Sequence, residues 1–226
     1  MILMANKGNR RHINRLASGK YIKVGRKTSA YVAKPMPGRH PISESIALCT
    51  VLTEKLGVAA TLKETEKILR EGLVKVNGKA IREPKYPIGF GDTIVLEPTN
   101  ELYTITVGSN GEFVAGKGAV GNRIFKVLGK YIARKGRVMV RLHNGTVMPS
   151  DANIKVNDSV ELDGKTVRVI KMEPGRKCVV RKGTHASESG TIKAINQGTA
   201  TREALVLIEG ASGEFETLLD NIMVTG

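Results

Sequence analysis

The sequence predicts an α+β, multidomain chain in four parts. These are a basic N-terminal extension over residues 1–41, a small α+β module over 42–98, a central all-β domain over 99–173 and a small C-terminal β-barrel over 174–226. Three observations carry this reading. Hydrophobic residues make up 41% of the 226, enough for packed cores and too many for a wholly disordered chain. Helical spacing is confined to residues 42–71, and the text beyond them alternates with period two between turn signals. The charge is also spread unevenly, which separates an arm from the folded parts.

The formal net charge is +15, from 36 Lys+Arg and 21 Asp+Glu. Residues 1–40 hold ten basic side chains and no acidic one. They are Lys7, Arg10, Arg11, Arg15, Lys20, Lys23, Arg26, Lys27, Lys34 and Arg39. Residues 41–100 hold eight of each sign, 101–150 eight basic and two acidic, and 151–226 ten basic and eleven acidic. An excess gathered in an arm and one middle segment is the footprint of a polyanion binder. No helical or strand period persists in the arm, and Pro35, Pro37, Gly38 and Pro41 break the chain after it. The arm is therefore expected to have no fold of its own and to order on a partner. It shows no apolar face that would suit a lipid surface. The longest apolar runs are about seven residues, against roughly 20 for a membrane span. Met1 to Met4 is too short for a signal-peptide core. Cys49 and Cys178 stand alone and read as buried thiols of a reducing, cytoplasmic environment.

In chain order, residues 42–56 read as a helix. Ile46, Leu48, Cys49, Leu52 and Leu56 fall near helical spacing, with Ser43 as N-cap and Gly57 as the stop. A second helix starts at Thr61, where Thr61 and Glu64 form a T-x-x-E capping box. Leu62, Thr65, Ile68 and Leu69 supply its apolar stripe, and Gly72 ends it. Val74 and Val76 then alternate with Lys75, and Asn77-Gly78 signals a two-residue hairpin. Pro84, Pro87 and Gly89 make a bend. Gly91-Asp92 turns into a strand at Ile94-Val95-Leu96. Further strands are expected at Leu102–Val107, Ile124–Tyr131, Arg137–Leu142, Cys178–Val180, Ala204–Ile208 and Ile222–Val224. A turn about every ten residues suits small barrels or sandwiches.

Catalytic chemistry is hard to assemble. The four histidines are His12, His40, His143 and His185, with no C-x-x-C or H-x-x-x-H spacing, so no zinc site is expected. Gly116-Lys117 lacks the frame of a phosphate-binding loop. No Ser-His-Asp set or paired carboxylates can be argued. No cofactor, metal, small-molecule substrate or catalytic residue is expected.

The stretch Thr61 to Leu96 resembles the α-L RNA-binding motif through Gly72, Val74, Val76, Asn77, Gly78, Lys79, Gly91, Asp92 and Ile94. Val180-Arg181-Lys182-Gly183 with Gly190-Thr191-Ile192 resembles a KOW motif, which marks a small SH3-like barrel. Both motifs, in this order behind a basic arm, are similar to the ribosomal protein S4e family of archaea and eukaryotes. The arm segment Gly8 to Ala17, the bend Tyr86 to Asp92 and the entry Ile154 to Val160 support the same resemblance. The chain ends at Gly226 without the longer basic extension of eukaryotic members, which points to an archaeal one. The resemblance implies a structural, non-enzymatic constituent of the small ribosomal subunit. Its partners would be small-subunit ribosomal RNA and neighbouring small-subunit proteins.

Phosphate contacts are expected first from the ten arm residues. In the α-L segment the resemblance selects Lys67, Arg70 and Lys75. The competing reading is a solvated face paired with Glu64, Glu66 and Glu71. In the middle segment Lys126, Lys130 and Arg134 share strand parity and would line one face. At the KOW-like loop the candidates are Arg181 and Lys182. Tyr21 and Tyr31 are the best base-stacking residues of a chain poor in aromatics, while Phe90 and Phe125 read as core. Two other readings share these modules. One is an RNA-modifying enzyme such as a pseudouridine synthase, but the Arg-Leu-Asp-type catalytic segment is missing. The other is a transcription elongation factor, which would not need the arm.

Overall fold

The structure, a computed structural model, describes residues 12–118, 123–149, 153–163, 166–199, 201–211 and 213–226. Helix α1 (Leu62–Arg70) has Thr61 as its N-cap. The Thr61 Oγ1 accepts the Glu64 N–H at 3.3 Å, and the Glu64 carboxylate accepts the Ala60 N–H at 2.9 Å. The capping box thus satisfies two amides at the helix entrance. Thr65 and Leu69 face the core with no exposed surface, but Leu62 is half exposed. The helix leads into β1 (Val74–Val76) and β2 (Lys79–Ala80). Asn77 and Gly78 between them have φ of +50° and +81°, the left-handed pair that a two-residue turn of this hand requires.

The helix expected over 42–56 starts later. Ile42–Glu44 is a 3-10 turn, Ile46–Ala47 pairs antiparallel with Pro87–Ile88, and helical backbone begins only at Leu48. It widens at once into a π-turn over Val51–Lys55. Ser43 caps nothing. The amides of Leu48 and Cys49 are taken by the carbonyls of Tyr86 and Pro84 in the bend. Residues 45–52 are buried on every side, so helical spacing could not tell a helix from a short ladder there.

Strands β3 (Thr93–Leu96), β4 (Glu101–Val107) and β5 (Phe113–Lys117) join the hairpin in an antiparallel sheet of order β2-β1-β3-β4-β5. This sheet runs across the boundary placed at residue 98. The tight turn over residues 97–100 only reverses the chain within it, so a turn signal there does not separate two cores.

The arm departs most from expectation. Residues 12–41 lie against this first body instead of remaining without structure. Ile13–Asn14 pairs with Tyr31–Val32. Ile22 and Val32, 1% and 5% exposed, belong to the same core cluster as Leu52, Leu69, Val74 and Ile94. The Tyr21 hydroxyl donates to Ile42 O at 3.0 Å, and the Phe113 N–H donates to Tyr21 O at 2.9 Å. Single apolar residues inside a charged segment carry no periodic signal, yet each fills a hole in a core made by other residues.

The second body is a sheet of order β8-β7-β6-β9-β10 built from β6 (Arg123–Ile132), β7 (Val138–Leu142), β8 (Val147–Pro149), β9 (Ser159–Asp163) and β10 (Thr166–Ile170). Phe125, Val127, Val140, Leu142, Ile154 and Val160 form its core. The third body is a sheet of order β14-β13-β12-β11-β15, from β11 (Lys177–Val180), β12 (Ser189–Asn196), β13 (Leu205–Gly210), β14 (Gly213–Leu218) and β15 (Ile222–Val224). Cys178, Val180, Ile192, Val206, Ile208, Ile222 and Val224 fill it.

Polar contacts fix the bodies to one another. The Val224 N–H donates to Ser159 Oγ at 3.1 Å, and the N–H of Met172, whose side chain packs on the third body's core, donates to Asp158 Oδ1 at 3.1 Å. Ala186 of the third body is buried within the first body's core. At Gly145, in the β7–β8 turn, an added Cβ would sit 2.5 Å from Arg39 O, so the arm backbone and this turn can meet only at glycine.

Candidate nucleic-acid interface

The sequence-selected cations fall into three groups. Lys7, Arg10 and Arg11 lie outside the described residues. A second group is exposed: Lys20, Lys23, Arg26 and Lys27 on the arm, Lys67 and Arg70 on α1, and Lys130 and Arg134 at the far end of β6. Several of these already have partners. Lys23 is 2.6 Å from Glu112, Arg70 is 3.9 Å from Glu66, and the Lys130 ammonium donates to Ile154 O at 3.2 Å. Lys75 is half-buried and pairs with Glu97 across the sheet. Lys34 and Arg39 are half-buried as well. Lys182 is partly exposed and lies 3.2 Å from Glu44.

The third group is withdrawn from the surface. Arg15 is 8% exposed. Its guanidinium meets Glu54 at 2.8 Å and donates to Gly25 O at 2.7 Å, so it staples the arm to the fold. Arg181 is 7% exposed and lies 3.2 Å from Glu44. Burial first raises the Glu44 pKa, but the charges of Arg181 and Lys182 outweigh it and hold the carboxyl below its usual range.

Lys126 requires a correction. It is fully buried and does not share a face with Lys130. A β-bulge between Val127 and Gly129 inserts one residue into β6 and reverses parity beyond it. Lys130 lies opposite Val140, on the core side of the sheet, as Val127 lies opposite Leu142. Lys126 points the other way, under the third body, and its ammonium donates to Leu219 O at 2.7 Å.

His143 sits beside it, unsignalled in the sequence, because nothing in a lone loop histidine announces burial. Its Nδ1 accepts the Lys126 N–H at 3.0 Å, and its Nε2–H donates to Phe90 O at 3.1 Å. Only a neutral ring protonated at Nε2 makes both bonds. Burial, and then the Arg181 charge, push its pKa down to about 4, so the ring stays neutral across the physiological range. The same ring thus ties the second body to the first.

Burial pushes Lys126 down to about 7; Arg181 and Lys182 add to the shift, while Asp220 and Glu44 oppose it. Between that value and the ordinary 10.5, the folded chain binds fewer protons here than the unfolded chain. This contribution therefore makes stability rise with pH in that window. Relative to Lys126→Met, the wild type should gain about 1 kcal/mol between pH 7 and pH 8. Urea unfolding of both proteins at the two pH values measures this, and a stability difference independent of pH would contradict it.

Among the described residues, no group of three or more His, Cys, Asp or Glu could hold a metal ion. None of the described helices is long and apolar enough to cross a membrane. The exposed cations lie on the arm, on α1 and at the far end of β6.

Comparison with known proteins agrees. The S4 domain family matches residues 48–94, which span the π-turn, α1, the β1–β2 hairpin and the start of β3. The chain is 33% identical over 219 residues to the small ribosomal subunit protein eS4 of Methanocella arvoryzae, covering 95% of this chain and 94% of that one. It is 30% identical to the eS4 protein of Methanothermobacter thermautotrophicus, covering 99% of this chain and 95% of that one. The crystal structure of the 30S ribosomal protein S4e from Thermoplasma acidophilum superposes with a TM-score of 0.69 at 29% identity, covering 81% of this chain and 95% of that one. With identity at this level over nearly the whole length of both chains, and the same fold in a solved structure, this chain belongs to the S4e family of small ribosomal subunit proteins.

Proposed function

We propose that this chain is a structural constituent of the small ribosomal subunit. It binds ribosomal RNA and neighbouring small-subunit proteins, works within the ribosome in the cytoplasm, and catalyses nothing. Its family membership carries the reading, and the exposed cations supply the chemistry. Lys20, Arg26, Lys27, Lys67, Arg70 and Arg134 are the described residues best placed to meet phosphates, together with Lys7, Arg10 and Arg11. Arg15 and Lys126 serve the fold instead, and Arg181 is withdrawn from the outer surface beside Glu44. Lys75, Lys23 and Lys182 must exchange a carboxylate partner for a phosphate, which lowers their net contribution. The mechanism is release of condensed counterions by these side chains.

We place the module boundaries at Lys117 and near residue 173, because each five-stranded sheet then has its own core. The third body is read as a KOW-type, SH3-like barrel. Its five antiparallel strands and the Val180–Gly183 and Gly190–Ile192 segments support that reading.

Sucrose-gradient fractionation of a cell lysate at about 100 mM salt, where electrostatic RNA contacts persist, should place the chain with small subunits. Its absence there would sink the proposal. Removing residues 1–11 takes away three of the ten arm cations. The slope of log affinity for small-subunit RNA against log salt should then fall by about 2. An unchanged slope would remove Lys7, Arg10 and Arg11 from the contact set.

A further inference from the structure

A cavity of about 440 Å³ opens where the arm, the first body and the third body meet. Its volume falls in the range of roughly 300–1,000 Å³ typical of small-ligand sites. Its walls combine two chemistries. The first is cationic. Lys20, Arg181 and Lys182 line it against a single carboxylate, Glu44. That carboxylate already bridges Arg181 and Lys182 at 3.2 Å each, so positive charge remains in excess. The Arg181 guanidinium is also under-satisfied, because its Nε–H is buried and finds no acceptor among the described residues. An anionic oxygen at the part of the guanidinium that lines the cavity adds a charge-assisted acceptor beside the enclosed Nε–H.

The second chemistry is aromatic. The chain has only five Tyr and four Phe, yet Tyr21, Phe90 and Phe113 all line this one cavity. Tyr21 and Phe113 meet edge to face at 6.1 Å. An aromatic wall beside surplus cations matches a ligand with a flat base at one end and a phosphate at the other.

We propose that this cavity is a binding site for one nucleotide unit, the base lying against the Tyr21, Phe90 and Phe113 wall and the phosphate against Arg181, Lys182 and Lys20. Two sources supply that chemistry: a nucleotide extruded from an RNA strand, and a free nucleoside monophosphate. The strand form rests on the RNA-binding reading above; the free form does not.

The test is an NMR titration of the full chain with AMP, with adenosine and inorganic phosphate as half-ligands. AMP should shift the amides of Val107, Gly111 and Gly183 and the ring signals of Tyr21 and Phe113, more strongly than either half-ligand does. Arg181→Lys keeps the charge that Glu44 needs but loses the guanidinium fork. Lys182→Gln removes one rim charge. Each should weaken AMP binding about tenfold, the effect of one hydrogen bond to a charged group, while circular dichroism shows the fold retained. If a short single-stranded RNA displaces AMP, the strand is the source; if it does not, the free nucleotide is. No AMP-dependent shift at these residues, or AMP affinity unchanged from the wild type in both variants, overturns the site. That failure alongside intact small-subunit association would leave the ribosomal reading standing. Loss of the association itself would instead overturn the ribosomal reading.

Discussion

Replacing Asp92 with alanine should cost about 3–5 kcal/mol, the penalty for breaking a buried charged network by removing one partner. Asp92 has no exposed surface. Its Oδ2 accepts the Gly89 N–H at 2.9 Å and lies 2.9 Å from His40 Nε2, and its Oδ1 accepts the Asn77 side-chain amide at 2.6 Å. Asn77 in turn accepts the Thr93 N–H at 3.0 Å and the Thr93 hydroxyl at 3.2 Å. One carboxylate therefore joins the end of the arm, the bend before β3 and the β1–β2 turn. Alanine leaves three donors without an acceptor in a dry site. Burial by itself raises the Asp92 pKa, but the His40 hydrogen bond and charge, the Gly89 amide and the Asn77 amide together outweigh it, and the net pKa lies below the ordinary 3.8. The carboxylate thus contributes stability that is present above pH 3.8 and lost as pH falls through its lower folded value. Urea denaturation at neutral pH measures the loss, and a cost under about 1 kcal/mol would mean that the network is not holding these segments. In acid, the wild type should lose this contribution while the alanine variant, having none, should not.

The motif around Asp92 was legible because its parts are local. Asn77-Gly78 demands one turn geometry, Thr61 and Glu64 meet within a single helical turn, and alternating apolar residues mark strands such as β1, β3, β4, β6 and β7, while β5, β8, β10 and β14 gave no such signal. The polar network behind the motif was not legible, since His40 is 52 residues from Asp92 and carries no signal of its own. The candidate interface was legible in total charge but not in which charges face outward. Arg15, Lys126 and Arg181 look in the sequence like their exposed neighbours. Their burial depends on Glu54, Leu219 and Glu44, each far off along the chain. The bulge in β6 is a further case, because one extra residue next to Gly129 reverses every later side chain. Period counting has no means to see it.

Replacing Ile22 with alanine tests whether the arm belongs to the cooperative fold. The side chain is 1% exposed inside the first body's core, and large-to-small changes at such sites cost about 2–5 kcal/mol. An arm that detaches independently would give a different result. The loss in global stability could then not exceed the free energy with which the arm docks, because a weakened arm would simply leave. The contacts argue for a substantial docking term. Val32 is also buried, the partly buried Arg15–Glu54 pair joins arm to body at 2.8 Å, and the Phe113 amide loses its acceptor if Tyr21 withdraws. A full loss of several kcal/mol in a single unfolding transition is therefore expected for Ile22→Ala. Removal of residues 1–40 should uncover Phe113 and the part of the first body's core that Ile22 and Val32 fill, and yield an unstable or associating remainder. A change under about 0.5 kcal/mol for Ile22→Ala, the size of an ordinary surface substitution, would restore the picture of an arm that gains structure only on RNA. The expected result divides the basic segment in two: residues 12–41 are a structural layer of the first body, and only the exposed cations along them remain available for phosphate.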